Sequence, residues 1–215
     1  MKLFIYGSGG LGREIYEISE RINQTIKKWD EILFLDDIRE EGPFFGTRSL
    51  KFETFLEQKL VSECVIGIGE PANREKLFIK LSQNEIKIAT LIDPRATVSP
   101  RARIDNGSII CEFASVHADV SMGMNCLVQP YCVVAHDTQI GDHSVLSPHC
   151  APGGASVFGK RVFVGMHSSI KEKLTIGDDV IIAMGAAVFQ NLPEGVTVVG
   201  NPARITKGRD DHKVF

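Results

Sequence analysis

The apolar positions of this chain follow two rhythms. The first covers roughly residues 1–92 and mixes short apolar runs with helical stripes. Residues 3–6 form a continuous apolar run that predicts a buried strand, followed by the turn Gly7-Ser8-Gly9-Gly10-Leu11-Gly12. Residues 13–23 place Ile15, Ile18 and Ile22 on one helical face. Residues 31–35 predict a second strand that ends in Asp36-Asp37, and residues 52–59 a short helix. A third strand is expected at 65–68, closed by Gly69, then a helix at 71–84 and a last strand at 88–92. This alternation predicts a small parallel sheet with helices on its faces.

The second rhythm starts at Val98. Every sixth residue from there is Val98, Ile104, Ile110, Val116, Met122, Val128, Val134, Ile140, Leu146, Pro152, Phe158, Val164, Ile170, Ile176, Ile182 and Val188; all but Pro152 are large and apolar. Four residues after most of them comes a small one, such as Ser108, Cys126, Cys132, Ser144 or Ser156. Strands repeat every two residues and α-helices every 3.6, so an unbroken period of six belongs to neither. It is the period of a hexapeptide β-helix, in which three six-residue sides make a coil of about 18 residues. Coils stack at roughly the 4.8 Å strand spacing, and about five are expected here. Pro152 cannot donate to a ladder, which predicts a local distortion around Pro152-Gly153-Gly154.

Composition narrows the function classes. The net charge of −3 and the absence of a basic stripe argue against a nucleic-acid partner. The five cysteines are an odd number without C-x-x-C spacing, as expected of buried thiols in a reducing cytoplasm. No apolar run reaches membrane-spanning length, and the first residues lack the layout of a signal peptide.

Candidate chemistry gathers at three places. His136-Asp137 lies within "VVAHDTQIGDHSV". One coil away stand Ala118 and Gly154, small residues that leave room for a ligand along the stack. Strand alternation counted from Val134 points His136 inward unless the corner turns it out. A neutral imidazole can accept a proton near pH 7, and a neighbouring carboxylate raises its basicity. The alternative is a solvated turn pair. His143, His149 and His167 share the fourth position of their hexapeptides, and His149 and His167 are one coil apart. That pair admits a zinc site of the β-helix hydratase (carbonic-anhydrase-like) kind, or simply exposed edge histidines. His117 and His212 carry no signal. The glycine turn satisfies G-x-G-x-x-G between a strand and a helix, with Asp36 at the end of the next strand. Some 95 residues leave no room for the second half of an NAD fold. A helix N-terminus can still hold a phosphate, and the paired aspartates can accept from a ribose or a base. The alternative is a turn that merely lets the helix pack on the strand.

The strings "IGDHSVLSP", "IGDDVIIAMGAAV" and "VTVVGNPAR" after a βαβ region resemble the left-handed β-helix acyltransferases. More narrowly, nearly the whole chain resembles the bacterial family of sialic-acid O-acetyltransferases and UDP-4-amino-sugar N-acetyltransferases. The resemblance implies an α/β N-terminal domain with a small Rossmann-like parallel sheet over residues 1–95. An all-β left-handed parallel β-helix over 96–205 and a C-terminal tail over 206–215 would follow. It implies acetyl-CoA as co-substrate, no metal, a homotrimer without membrane insertion, and a cytoplasmic role in surface-glycan synthesis. The expected reaction is acetylation of a sugar, foremost the amine of a nucleotide-linked 4-amino sugar, with a hydroxyl of sialic acid or a capsular sugar as the alternative. His136 would be the general base and Asp137 its partner. Gly154, Met166 and Met184 would meet coenzyme A in a groove between adjacent chains, with a backbone N–H near Gly154 receiving the oxyanion. Gly9, Gly10, Leu11, Gly12, Asp36, Asp37 and Gly69 would hold the acceptor nucleotide. Arg204, Lys207 and Arg209 would meet the coenzyme's phosphates or form a solvated tail. The family usually has His where this chain has Leu11, which bears on the identity of the acceptor.

Overall fold

Leu3, Phe4, Ile5 and Tyr6 are all buried because their strand lies in the middle of a sheet covered on both faces. The computed structural model describes residues 1–58, 60–206 and 214. In chain order the N-terminal part runs β1 (Lys2–Tyr6), α1 (Gly10–Ile26), β2 (Glu31–Leu35), β3 (Gly42–Phe44), β4 (Thr47–Leu50), α2 (Phe52–Glu57), β5 (Ser62–Ile66), α3 (Pro71–Gln83) and β6 (Lys87–Ile88). The sheet order is β3-β4-β2-β1-β5-β6, parallel except for the β3–β4 hairpin. Leu3 and Ile5 pack with Ile15, Ile18 and Ile22 of α1. Phe4 and Tyr6 point the other way, onto Phe52, Phe55 and Leu81.

Three sequence expectations shift. The β3–β4 hairpin was not foreseen: its two central residues, Phe45 and Gly46, have φ of 49° and 76°. Such turns are usually marked by Asn-Gly or Gly-Gly, and Phe-Gly hides the signal. The strand expected at 65–68 is Ser62–Ile66, because Glu63, which reads as a loop residue, is buried in it. Its carboxylate takes Lys28 at 2.8 Å, Lys87 at 2.5 Å and the Trp29 indole N–H at 3.1 Å, partners that make the burial tolerable. The strand expected at 88–92 divides. Lys87–Ile88 closes the sheet beside β5, whereas Leu91–Ile92 pairs with Ile109–Ile110 and starts the second architecture.

That architecture is the left-handed parallel β-helix. Two-residue strands stack on three faces in steps of 18 residues, as in the pairing of Ile109 with Leu127 and Leu127 with Val145. From Ile110 to Val188, the residues of the six-residue frame fill the interior. The frame slips only at the end, where Ile181 pairs with Thr197. The small corner residues do more than fit. Ser108, Ser144 and Ser156 each donate to the carbonyl of a residue 15 positions on and accept a backbone N–H from a residue 18 positions on. Corner residues ahead of them, among them Asn125, Asp137, His143, His149 and His167, take left-handed φ near 55–62°.

The distortion expected around Pro152 reduces to one missing ladder hydrogen bond. Its face divides into two three-stranded sheets at that position. Ala135 N–H still reaches the Pro152 carbonyl at 3.2 Å, so the coils remain in register while one ladder donor is lost.

The two parts share a core. On the first face the outward residues Ile109, Leu127 and Val145 are as buried as the inward ones, because they meet the α1 side of the sheet. Arg21 of α1 adds ion pairs to Asp93 at 2.6 Å and Glu112 at 3.0 Å. Among the described residues no helix is long and apolar enough to cross a membrane.

Candidate active site

The glycine turn is shaped by a close approach. A Cβ on Gly12 would stand 1.9 Å from the Gly7 carbonyl oxygen, so α1 can start this near β1 only with glycine there. Gly9 and Gly10 are different: nothing lies within 4 Å of where their Cβ atoms would be, and both are exposed. No side chain caps α1, so its first N–H groups have no partner within the helix or from a capping side chain.

Asp36 closes the turn from the side. Its carboxylate accepts from the Ser8 N–H at 3.0 Å, from the Ser8 hydroxyl, and from the N–H groups of Ile38 and Arg39 at 2.9 Å. Burial alone would raise its pKa, but these hydrogen bonds prevail and hold it at about 2. Asp37 points to the opposite face of the sheet. It accepts from Tyr6 Oη at 2.5 Å, Lys80 Nζ at 3.0 Å and the Phe52 N–H at 3.1 Å. Here too burial is outweighed, and the Asp37 pKa is lowered. The two aspartates are therefore already engaged, Asp36 within the turn and Asp37 beneath it. Arg39, which the sequence did not single out, donates Nε to Ser8 Oγ at 2.9 Å and covers the Phe44 ring, so a cation stands beside the turn.

His136 points outward, contrary to simple strand alternation, because the chain turns the corner at Asp137 with φ 60°. The side chains of His136 and Asp137 are 66% and 58% exposed. His136 Nδ1 lies 2.7 Å from Asp137 Oδ2. A carboxylate there fixes the proton on Nδ1 and leaves Nε2 as the acceptor. Nε2 lies over Gly154, whose absent side chain makes room for the ring.

A cleft of about 790 Å³ opens between the glycine turn and the first face of the β-helix. It brings together four expected site residues: Leu11 and Gly69 from the N-terminal part, Met166 and Met184 from the β-helix. Leu11 packs 3.6 Å from the Cβ position of Gly69. Among the described residues, none that lines the cleft is titratable. His136, Asp137 and Gly154 are not among them and belong to a different corner of the prism. One chain thus holds the two halves of the expected site apart.

The remaining histidines separate clearly. His149 and His167 stack with ring centroids 4.7 Å apart and planes 5° from parallel, in a column that continues upward through Tyr131, Phe113 and Arg95. Face-to-face stacking does not converge two nitrogens on one ion, and among the described residues no group of three or more His, Cys, Asp or Glu is placed to hold a metal. His143 is not an edge residue: it is buried against α3, with Nδ1 2.9 Å from Asn125 Nδ2 and its ring edge-on to Phe78. Arg204 is exposed on Arg204–Thr206, a strand antiparallel to Thr197–Val199. Lys207, Arg209 and His212 lie outside the described residues.

Comparison with known proteins agrees with this two-part design. Residues 2–81 match the family described as PglD N-terminal domain, and residues 119–151 match bacterial transferase hexapeptide (six repeats). A histidine-to-asparagine variant of perosamine N-acetyltransferase from Caulobacter crescentus, solved with CoA and GDP-perosamine, superposes with a TM-score of 0.88. It is 25% identical and covers 96% of this chain and 97% of its own. WeeI from Acinetobacter baumannii AYE gives 0.89 at 27% identity, covering 96% and 100%. GDP-perosamine N-acetyltransferase of Escherichia coli O157:H7 is 29% identical over 134 residues; the match spans 61% of each chain.

Proposed function

We propose that the chain is a hexapeptide-repeat transferase with a PglD-type N-terminal domain, and that it moves an acetyl group from acetyl-CoA to the amine of a nucleotide-linked 4-amino sugar. The observation that carries this reading is the structural likeness, over 96% of the chain, to an enzyme solved with CoA and GDP-perosamine.

The uncapped N–H groups at the start of α1 receive the acceptor's diphosphate, and Arg39 adds a positive charge beside them. The nucleotide holds the sugar in the cleft along Leu11 and Gly69, while Met166 and Met184 line the path of the pantetheine arm. The sugar amine attacks the thioester carbonyl. His136 Nε2 takes the amine's proton as the C–N bond forms, and its Nδ1–H stays on Asp137 throughout. A backbone N–H near Gly154 meets the developing oxyanion. Collapse of the tetrahedral intermediate releases the coenzyme thiolate, which recovers a proton from the imidazolium.

Because His136 and the cleft stand on different corners of the prism, the site is completed between copies: the His136 corner of one chain meets the cleft of its neighbour in a homotrimer. Exposed apolar residues on the β-helix support this, among them Phe113, Tyr131, Val133 and Met184, which is 67% exposed.

The deciding experiment is acetyl-CoA turnover across UDP-, dTDP- and GDP-linked 4-amino sugars, with free sialic acid included. Turnover of an amino sugar with a stable amide product is expected. Turnover confined to sialic acid would move the reaction to a hydroxyl, and no turnover with any acceptor would overturn the reading.

A further inference from the structure

Arg74 is fully buried and the largest such side chain among the described residues. Among the described residues it forms no ion pair, and burial lowers its pKa to about 10. A guanidinium in that position is tolerable only if its N–H groups are all used. They are. Nη1 donates to the carbonyls of Ile66 and Ile68, both at 2.9 Å. Nε and Nη2 donate to the Asn125 carbonyl at 3.1 and 3.0 Å, and Nη2 also reaches Asn125 Oδ1 at 2.7 Å. Five donors meet four neutral acceptors, one at the end of β5, one just after it and two on one corner of the β-helix.

Both ends of this fork are tied further. Ile68 directly precedes Gly69, the residue beside Leu11 in the cleft. Gly67 donates its N–H to the Tyr6 carbonyl at 2.8 Å, and a Cβ on it would stand 3.0 Å from Gly12 Cα, so this segment also braces the glycine turn. On the other side, Asn125 is wholly buried and holds the left-handed corner with φ 55°. Its amide orientation follows from its partners: Oδ1 faces Arg74, so Nδ2 donates to His143 Nδ1.

We propose that Arg74 is a positioning residue which sets the acceptor turn, from Gly67 to Gly69 and through it Gly7 to Gly12, at a fixed height on the β-helix. A general need to fill space would be met better by an apolar side chain, since a buried charge without a counter-ion is costly. What the planar fork adds is a rigid two-sided clamp that neither a methionine nor a lysine reproduces. This role rests on the proposed transfer reaction, because it fixes the acceptor against the acetyl donor.

The test compares Arg74→Lys and Arg74→Met with the wild type, varying acceptor and acetyl-CoA separately. In each folded variant kcat/KM for the acceptor should fall about tenfold to a hundredfold, the cost of a displacement near 1 Å. KM for acetyl-CoA should stay within about twofold, since the coenzyme residues lie on the β-helix alone. Amide exchange at Gly67 should quicken relative to the interior of α1. Wild-type acceptor kinetics together with unchanged exchange at Gly67 would overturn the proposal. Should neither variant fold, Asn125→Gly suits the left-handed corner and removes the 2.7 Å contact, and the same two measurements decide. If the wild type turns over no amino sugar, the transfer reading fails, and the Gly67 exchange still tests the clamp.

Discussion

A Cβ on Gly154 would stand 3.0 Å from both Cε1 and Nε2 of His136. The glycine is the floor under the imidazole, one coil below it, and a side chain there would press on the Nε2 edge of the ring. His136→Ala should lower kcat by about 10²–10⁴, the usual worth of a positioned proton transfer. The fold should survive, because the ring is 66% exposed and fills no part of the core. Asp137→Asn should cost less, since it orients the ring rather than accepting the proton. Gly154→Ala should push the ring aside and lower kcat about tenfold with little change in Tm. Steady-state kinetics beside thermal denaturation checks all three, and near-normal turnover in His136→Ala would return the pair to a solvated turn.

The glycines of the turn divide into two kinds. Gly12→Ala forces a methyl to within 1.9 Å of a backbone oxygen and should destabilise the protein by about 1–3 kcal/mol or more. Gly9→Ala and Gly10→Ala meet nothing within 4 Å. They should leave Tm in place and raise the acceptor KM by crowding the phosphate position. Equal effects on KM at all three positions would mean that the turn serves packing alone.

Asp36 ties the turn to the strand that follows it, so Asp36→Ala should loosen Ser8 and weaken acceptor binding more than coenzyme binding. Loss of charge-assisted hydrogen bonds predicts an acceptor KM raised about tenfold to a hundredfold. Because the folded pKa of Asp36 is depressed to about 2, its stabilising contribution is present above the ordinary carboxylate range and is lost as pH falls towards 2. An acid titration of stability, steeper in wild type than in Asp36→Ala, tests this.

His143 links pH to the docking of the two parts. Burial lowers its pKa first; Arg74 and Arg161 lower it further, while Glu75 and Asp142 pull it up. Below the ordinary histidine value of about 6.5 the unfolded chain binds more protons than the folded one, so stability drops with falling pH through that window. His143→Gln should flatten the dependence between about pH 5 and 7. An identical slope in wild type and variant would show that another group is responsible.

Assembly is the last prediction. Light scattering of the active enzyme should give a mass three times that of the chain, and mixing His136→Ala with a cleft variant such as Met184→Arg should restore part of the lost turnover through mixed trimers. A monodisperse, active monomer would rule out the shared site.

Much of this was legible in the residues. The six-residue frame from Val98 to Val188 could place its apolar members only inside a prism, since the period belongs to the β-helix and to neither common element. The βαβ alternation placed the glycine turn between strand and helix, and Pro152 marked where a ladder would lose a donor. What local pattern could not decide was every matter settled by a distant partner. Glu63 belongs to a strand because Lys28 and Lys87 neutralise it. His143 is buried because α3 covers its corner, while His149, at the same position of the repeat, stays exposed because no helix does. His136 faces outward because the corner turns at Asp137, a matter of φ and not of alternation. Arg74 carried no signal in the sequence, for its meaning lies in carbonyl groups on both sides of it, and those come together only when the sheet docks on the coils.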